Sequence, residues 1–328
     1  MELDKIEERD LKMGQPNQIV FSETLQELAQ NDRDILVTTS DSRGSGKLVP
    51  FAQKFPHQIV EVGIAEQNLV GVAAGLASAG KKAFAVSPAC FLSARALEQI
   101  KNDICYSDNP VKLVGISAGV SYGALGTTHH SLHDFAALRA INNLTIVAPA
   151  DNFETEQAVR KAIDFDKPLY LRFGKKAMPF LGEDNQNFEF GKGRTIRSGN
   201  DLTFIATGET VYPAWSAAQF LEEEHGVRAS VVSMHTIKPL DINLIERLAA
   251  DGNPIITVEE HMVNGGLGEA CASFLFQHGF RNPFKIVGIP DEYTVTGSQI
   301  NIFEHYGISK EGLSNMALDL LDTTKSNR

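Results

Sequence analysis

The chain has 328 residues, 43% hydrophobic and 22% charged. That is enough for two domains with ordinary cores and no disulfide staples. Thirty Lys and Arg against 41 Asp and Glu give a net charge of −11, which argues against nucleic acid or an anionic membrane as the main partner but leaves room for a phosphorylated small molecule at a locally basic site. The three cysteines are widely spaced and form no C-x-x-C pair, so neither a disulfide framework nor a structural zinc site is expected. The charged opening, Met1 to Asp10, does not read as a signal peptide. No apolar run reaches the ~18 residues a membrane span needs, and the expected location is the cytoplasm.

In chain order, a helix is predicted near 20–30 and a strand at Ile35–Thr39. That strand runs into Thr38-Thr-Ser-Asp-Ser-Arg-Gly-Ser-Gly-Lys47. Small residues here let backbone approach a ligand, and Arg43, Ser45 and Lys47 could hold a phosphate. It is not a P-loop, because Asp41 stands where the first glycine is required. The other reading is an ordinary turn.

A strand at Gln58–Val62 leads into Glu61-Val-Gly-Ile-Ala-Glu-Gln-Asn68 and a helix over 66–79 rich in small residues. The dipole favours Glu66 at the start of that helix. The apolar surroundings also suggest burial, where a carboxylate needs a specific partner such as a heterocycle nitrogen. Both readings stand at this point. The strand Lys82–Ser87 then meets a helical stretch over 91–107. Phe91 at its start is either a stacking platform or core, and Arg95 lies one turn on.

After the strand Val111–Ser117 comes Gly123-Ala-Leu-Gly-Thr-Thr-His-His-Ser-Leu-His-Asp134. No carboxylate motif accompanies its three histidines. They read better as acid/base or hydrogen-bonding groups than as metal ligands. A helix over 132–141, a strand at Thr145–Ala148, a helix over 152–165 and a strand at Leu169–Phe173 complete the first unit. Arg172 ends an apolar strand and needs an anion, either a structural carboxylate or a substrate phosphate. Residues 175–198 are rich in glycine and read as a connection. Strands at Leu202–Thr207, Ala229–Ser233, Ile255–Val258 and Lys285–Gly288 follow, with helices near 210–224, 241–250 and 267–278. The tail after about 322 is polar and expected to fray. Such alternation predicts an α/β fold with parallel sheets, its ligands at the carboxyl ends of the strands.

Eight segments carry a resemblance: Glu61–Asn68, Glu98–Asp103, Leu113–Gly119, Thr127–His130, Ala148–Asp151, Lys238–Asp241, Glu259–Gly268 and Gly288–Glu292. In order and spacing they resemble the C-terminal half of the transketolase family over roughly residues 15–320. The resemblance implies a pyrimidine-binding domain of the thiamine-diphosphate fold over 15–178 and a smaller α/β C-terminal domain over 192–322. It implies thiamine diphosphate as cofactor, with Glu66 as the carboxylate on its aminopyrimidine ring and Phe91 stacked against that ring. Asp41 becomes an acidic residue near the cofactor. Ser45 and Arg172 become holders of the sugar phosphate, and His129 a histidine on the substrate.

No Gly-Asp-Gly occurs in the chain, so no metal ligand is expected here. A partner subunit resembling the N-terminal half would carry that motif, the diphosphate and Mg2+ or a similar ion, in an α2β2 assembly. Leu125 replaces an Asp that transketolases commonly use on a substrate hydroxyl, and Ser117 replaces a common substrate-contacting His. Both departures point to a non-standard donor such as a branched ketose phosphate. The alternatives within thiamine chemistry are a 2-oxo acid dehydrogenase β subunit and an enzyme like 1-deoxyxylulose-5-phosphate synthase. Outside it, the alternative is a non-catalytic scaffold.

Overall fold

The computed structural model describes residues 11–181 and 188–326. A first group of strands comprises β1 (Met13–Pro16), β2 (Ile35–Thr39), β3 (Ile59–Glu61), β4 (Lys82–Pro88), β5 (Lys112–Ile116), β6 (Thr145–Val147), β7 (Leu169–Arg172) and β8 (Ala177–Pro179). A second comprises β9 (Arg194–Arg197), β10 (Leu202–Ala206), β11 (Ala229–Ser233), β12 (Thr236–Lys238), β13 (Ile255–Met262) and β14 (Phe284–Ile289). They assemble into a seven-stranded sheet of order β12-β6-β7-β5-β4-β2-β3 and a five-stranded sheet of order β14-β13-β10-β11-β9. Every pair inside these sheets is parallel except those made by the edge strands β12 and β9. β5 is buried along its whole length, as a strand covered by helices on both faces must be.

Of the connection expected over 175–198, residues 182–187 lie outside the described residues. The described part supplies β8, which pairs antiparallel with β1, and β9 at the edge of the second sheet. β12 crosses back to pair with β6 in the first sheet. The helical stretch expected over 91–107 divides into Ala89–Arg95, Leu97–Gln99 and a wide π-type turn Ile100–Tyr106. The helices Val49–Lys54, Gln299–His305 and Lys310–Ser326 were not anticipated. The last of these runs to Ser326, into the polar tail expected to fray, of which residues 327 and 328 lie outside the described residues. It is anchored upstream, where Leu313 and Ala317 are buried in the core beside Trp215.

The two halves share one apolar core. Leu113, Phe135, Ile146 and Ala148 pack in the same cluster as Ile205, Val232, Met234 and Leu267. The approach is tight at Gly119, whose φ of +59 suits glycine. A Cβ there would lie 2.1 Å from the Glu260 carboxyl carbon.

Candidate active site

The carboxyl ends of β2, β3, β4, β5 and β7 open on one edge of the seven-stranded sheet, and the singled-out loops all leave from it. Three described non-glycine residues with positive φ lie there: Asp41 at 54°, Lys47 at 59° and Ser117 at 53°. Ser and Lys gain nothing locally from that conformation, which costs about 1–3 kcal/mol each. The surrounding structure therefore imposes it.

Glu66 is the first residue of the helix Glu66–Ser78 and is 2% exposed. Arg95 Nη1 donates to both of its oxygens at 3.0 Å. The same guanidinium covers the Phe91 ring, 4.3 Å from its centroid. His129 stands edge-on to Phe91 with centroids 5.4 Å apart, and edge-on to Tyr122 at the same distance. The Tyr122 hydroxyl lies among Ser117 and Ser45; burial raises its pKa and the two serine hydroxyls lower it. Ser117 Oγ itself is buried and forms no hydrogen bond of ordinary geometry among the described residues. A chain of contacts through Arg95 and Tyr122 thus links Glu66, Phe91, His129 and Ser45, and Tyr122 is a residue the sequence had not singled out.

Glu61 organises the neighbouring loops. Its carboxylate accepts from Thr39 Oγ1 at 2.7 Å, the Asp41 N–H at 2.7 Å and the Gly63 N–H at 3.0 Å, and pairs with Arg43 at 3.2 Å. Burial opposes its ionisation, but these donors outweigh it and lower its pKa. Arg43 is thereby tied to Glu61. The Asp41 side chain is exposed.

The loop histidines divide their work. His130 Nδ1 is 2.7 Å from Thr294 Oγ1 and Nε2 is 2.9 Å from the Gly123 carbonyl, pinning the loop to the second half of the chain. His133 Nε2 is 3.3 Å from Ser93 Oγ. Of the three, His129 is the one that faces the aromatic cluster. Leu125, on the 3-10 turn Gly123–Leu125, is 55% exposed.

Arg172 is tied into the fold by a carboxylate and two carbonyls. Its guanidinium is buried, donates from Nε to Asp134 Oδ2 at 2.8 Å, and donates from Nη2 to the carbonyls of Ser131 at 3.1 Å and Glu260 at 2.8 Å. It lies on the Phe135 ring, and Asp134 also accepts from the Tyr170 hydroxyl at 2.8 Å. Of the two anions it could need, the structure supplies the carboxylate. Asp134 was readable only as the end of the histidine motif, since no spacing rule links it to Arg172.

A second buried acidic group was not legible at all. Gln299 Nε2 donates to Glu209 Oε2 at 2.9 Å and to Glu260 Oε1 at 2.8 Å, and Glu260 Oε1 accepts from the Val120 N–H at 2.9 Å. Burial, then mutual repulsion at Glu209, raises the pKa of the pair. A carboxyl whose folded pKa is raised stabilises fully below its unfolded value of about 4.3 and loses that contribution as pH rises through the folded value. Thermal stability is therefore expected to fall between about pH 5 and pH 9, and Glu209→Gln to flatten that slope. An unchanged slope in the variant, read by calorimetry across that range, would contradict the assignment.

Residues 17–179 match the family model described as transketolase, pyrimidine binding domain, and residues 191–313 match transketolase, C-terminal domain. The chain is 49% identical over 303 residues to a subunit of the apulose-4-phosphate transketolase of Phocaeicola vulgatus, covering 92% of this chain and 96% of the relative. It is 38% identical to the protein of the same name from Actinobacillus succinogenes, covering 89% and 94%. It is also 38% identical to 1-deoxy-D-xylulose-5-phosphate synthase of Heliobacterium modesticaldum, but there it spans 47% of the relative. Among solved structures it resembles a split gene transketolase in the form of an inactive beta4 tetramer, with TM-score 0.84, 35% identity and coverage of 94% of this chain and 99% of that one.

Proposed function

The chain belongs to the transketolase family, and from that premise we propose that it is the subunit of a split transketolase that holds the ring end of thiamine diphosphate. The single observation that carries this is a buried carboxylate, Glu66, at a helix start beside an aromatic face, Phe91, with a planar cation already occupying both contacts. A flat heterocycle that can share a proton with a carboxylate fits that donor set. When bound, thiamine diphosphate would supply the nucleophilic carbon and the electron sink. In this reading Glu66 holds a proton at the ring nitrogen and Phe91 fixes the ring plane. His129 donates to substrate oxygen, and Asp41 with Glu61 shapes the loop beside it.

The partner would be a second polypeptide carrying Gly-Asp-Gly, the diphosphate and Mg2+, in an α2β2 assembly in the cytoplasm. Among the described residues no helix is long and apolar enough to cross a membrane. The P. vulgatus relative is named as one subunit of its enzyme and is covered over 96% of its length, which supports a two-subunit enzyme here.

The donor in this proposal is a branched ketose phosphate, from which transfer of a two-carbon ketol unit releases a ketone. Exposed Leu125 cannot accept the hydroxyl hydrogen bond an unbranched ketose would offer, a loss of roughly 1–3 kcal/mol. Apulose 4-phosphate, the substrate in the relative's name, is the first donor to test. With both subunits present, turnover of it should exceed that of xylulose 5-phosphate, and Leu125→Asp should raise kcat/KM for xylulose 5-phosphate about 10-fold. Equal or better use of xylulose 5-phosphate by the unaltered complex would defeat the donor assignment.

A further inference from the structure

We propose that Thr294, in the second half of the chain, is a positioning residue for ketol transfer, its hydroxyl fixing the loop that presents Leu125 and His129 and so setting the rate; this rests on reading the chain as a transketolase subunit. The loop follows β5 and closes where the Ser131 N–H donates to the Gly119 carbonyl at 2.7 Å. Between Ser121 and His129 its buried residues are two glycines, Gly123 and Gly126, so no apolar side chain of this stretch anchors it. Near its start the Val120 N–H is held by Glu260. Its far part meets the segment between β14 and the helix Gln299–His305, which contains Thr294.

Thr294 is buried. Its Oγ1 is 2.7 Å from His130 Nδ1 and 3.1 Å from Thr127 Oγ1, and His130 Nε2 is 2.9 Å from the Gly123 carbonyl. A carbonyl oxygen only accepts, so Nε2 carries the hydrogen. Burial lowers the pKa of His130 and keeps the ring neutral, which leaves Nδ1 as a bare acceptor. Thr294 therefore donates to Nδ1, and Thr127 donates to Thr294. The four groups form one directed chain, and Thr294 is its one member outside the loop. Leu125 lies between two of the other members, Gly123 and Thr127, and His129 lies between Thr127 and His130. Holding these three positions fixes the backbone on both sides of each substrate-facing residue. The fit is close: at Gly123, with φ +52, a Cβ would stand 2.5 Å from the Gly297 carbonyl oxygen. A valine at 294 would match threonine in shape but leave a buried Nδ1 without its donor, so the loop would shift to regain one. A displacement of about 1 Å at a reacting group costs ~10²-fold in rate.

The test compares Thr294→Val with Thr294→Ser in the assembled complex, the sites counted by calorimetric titration with thiamine diphosphate. Thr294→Val should lower kcat per site about 10- to 100-fold and leave thiamine diphosphate affinity unchanged, because Glu66 and Phe91 lie on other elements. Thr294→Ser, which keeps the donor, should restore most of the rate. Hydrogen exchange gives a readout besides activity. The His129 and His130 N–H groups donate to the Gly126 carbonyl at 2.9 and 3.1 Å, and in Thr294→Val they should exchange about 10-fold faster. The Val120 N–H, held by Glu260, should keep its rate. Unchanged kcat in Thr294→Val, a loss that serine fails to restore, or exchange quickened throughout the second half of the chain would each overturn the proposal. Serine-reversible loosening of the loop in a complex that transfers no ketol unit from any donor would instead overturn the transketolase reading and leave Thr294 as the anchor of the loop.

Discussion

Glu66→Gln in the assembled complex is expected to lower kcat by roughly 10²- to 10⁴-fold, the usual worth of a positioned acid–base group. The amide keeps the shape and a hydrogen bond but cannot exchange a proton with a ring nitrogen. Its cost to folding should be small. The Arg95 side chain is 45% exposed and that of Glu66 3%, so Arg95 can return to water when its partner is neutral, and the amide removes the cost of burying a charge. Paired measurements of kcat and thermal stability separate the readings. A non-catalytic scaffold would retain whatever activity the complex has, and a purely helix-capping Glu66 would lose stability before rate. A variant within about 10-fold of the unaltered kcat would remove Glu66 from the chemistry.

The opposite signature is expected at Arg172. Arg172→Met leaves Asp134 buried and unpaired, and breaking one side of such a pair costs about 3–5 kcal/mol. In the intact protein burial opposes ionisation of Asp134, and the Arg172 cation outweighs it, holding the pKa low. A carboxylate with a lowered folded pKa stabilises above its unfolded value of about 3.9 and loses that contribution as pH falls through the folded value. Without Arg172 burial dominates at Asp134, so the variant should lose more stability between about pH 5 and about pH 8 than the intact protein does. The double change Arg172→Met with Asp134→Leu should recover much of the loss, since the Asp134 carboxylate is then no longer left buried without its cation. Normal stability in Arg172→Met, with a selective loss of affinity for phosphorylated ligands, would give Arg172 to the phosphate instead.

Local chemistry made the central strands and the Glu66 turn readable. β5 reads as a continuous apolar run because it is covered on both faces, and β2, β4 and β7 are legible for the same reason. The motif from Glu61 to Asn68 names its own helix start. The short strands β1, β8 and β12 escaped because they exist through pairing with distant residues, as in Met13 with Pro179 and Thr236 with Val147.

The same division runs through the site. Residue type and order along the chain made Glu66, Phe91, His129 and Ser45 candidates, since the alternation puts each at a strand-to-helix junction and the family resemblance gave each a role. Only the tertiary structure decided what the charged groups do. Asp134 is 38 positions from Arg172, and Glu209 is 90 from Gln299. Electrostatic partnership depends on distance through space and on exclusion of water, and neither is written in sequence separation. The arginine at the end of β7 therefore announced only that it needed an anion; which anion was settled by the fold that closed over it.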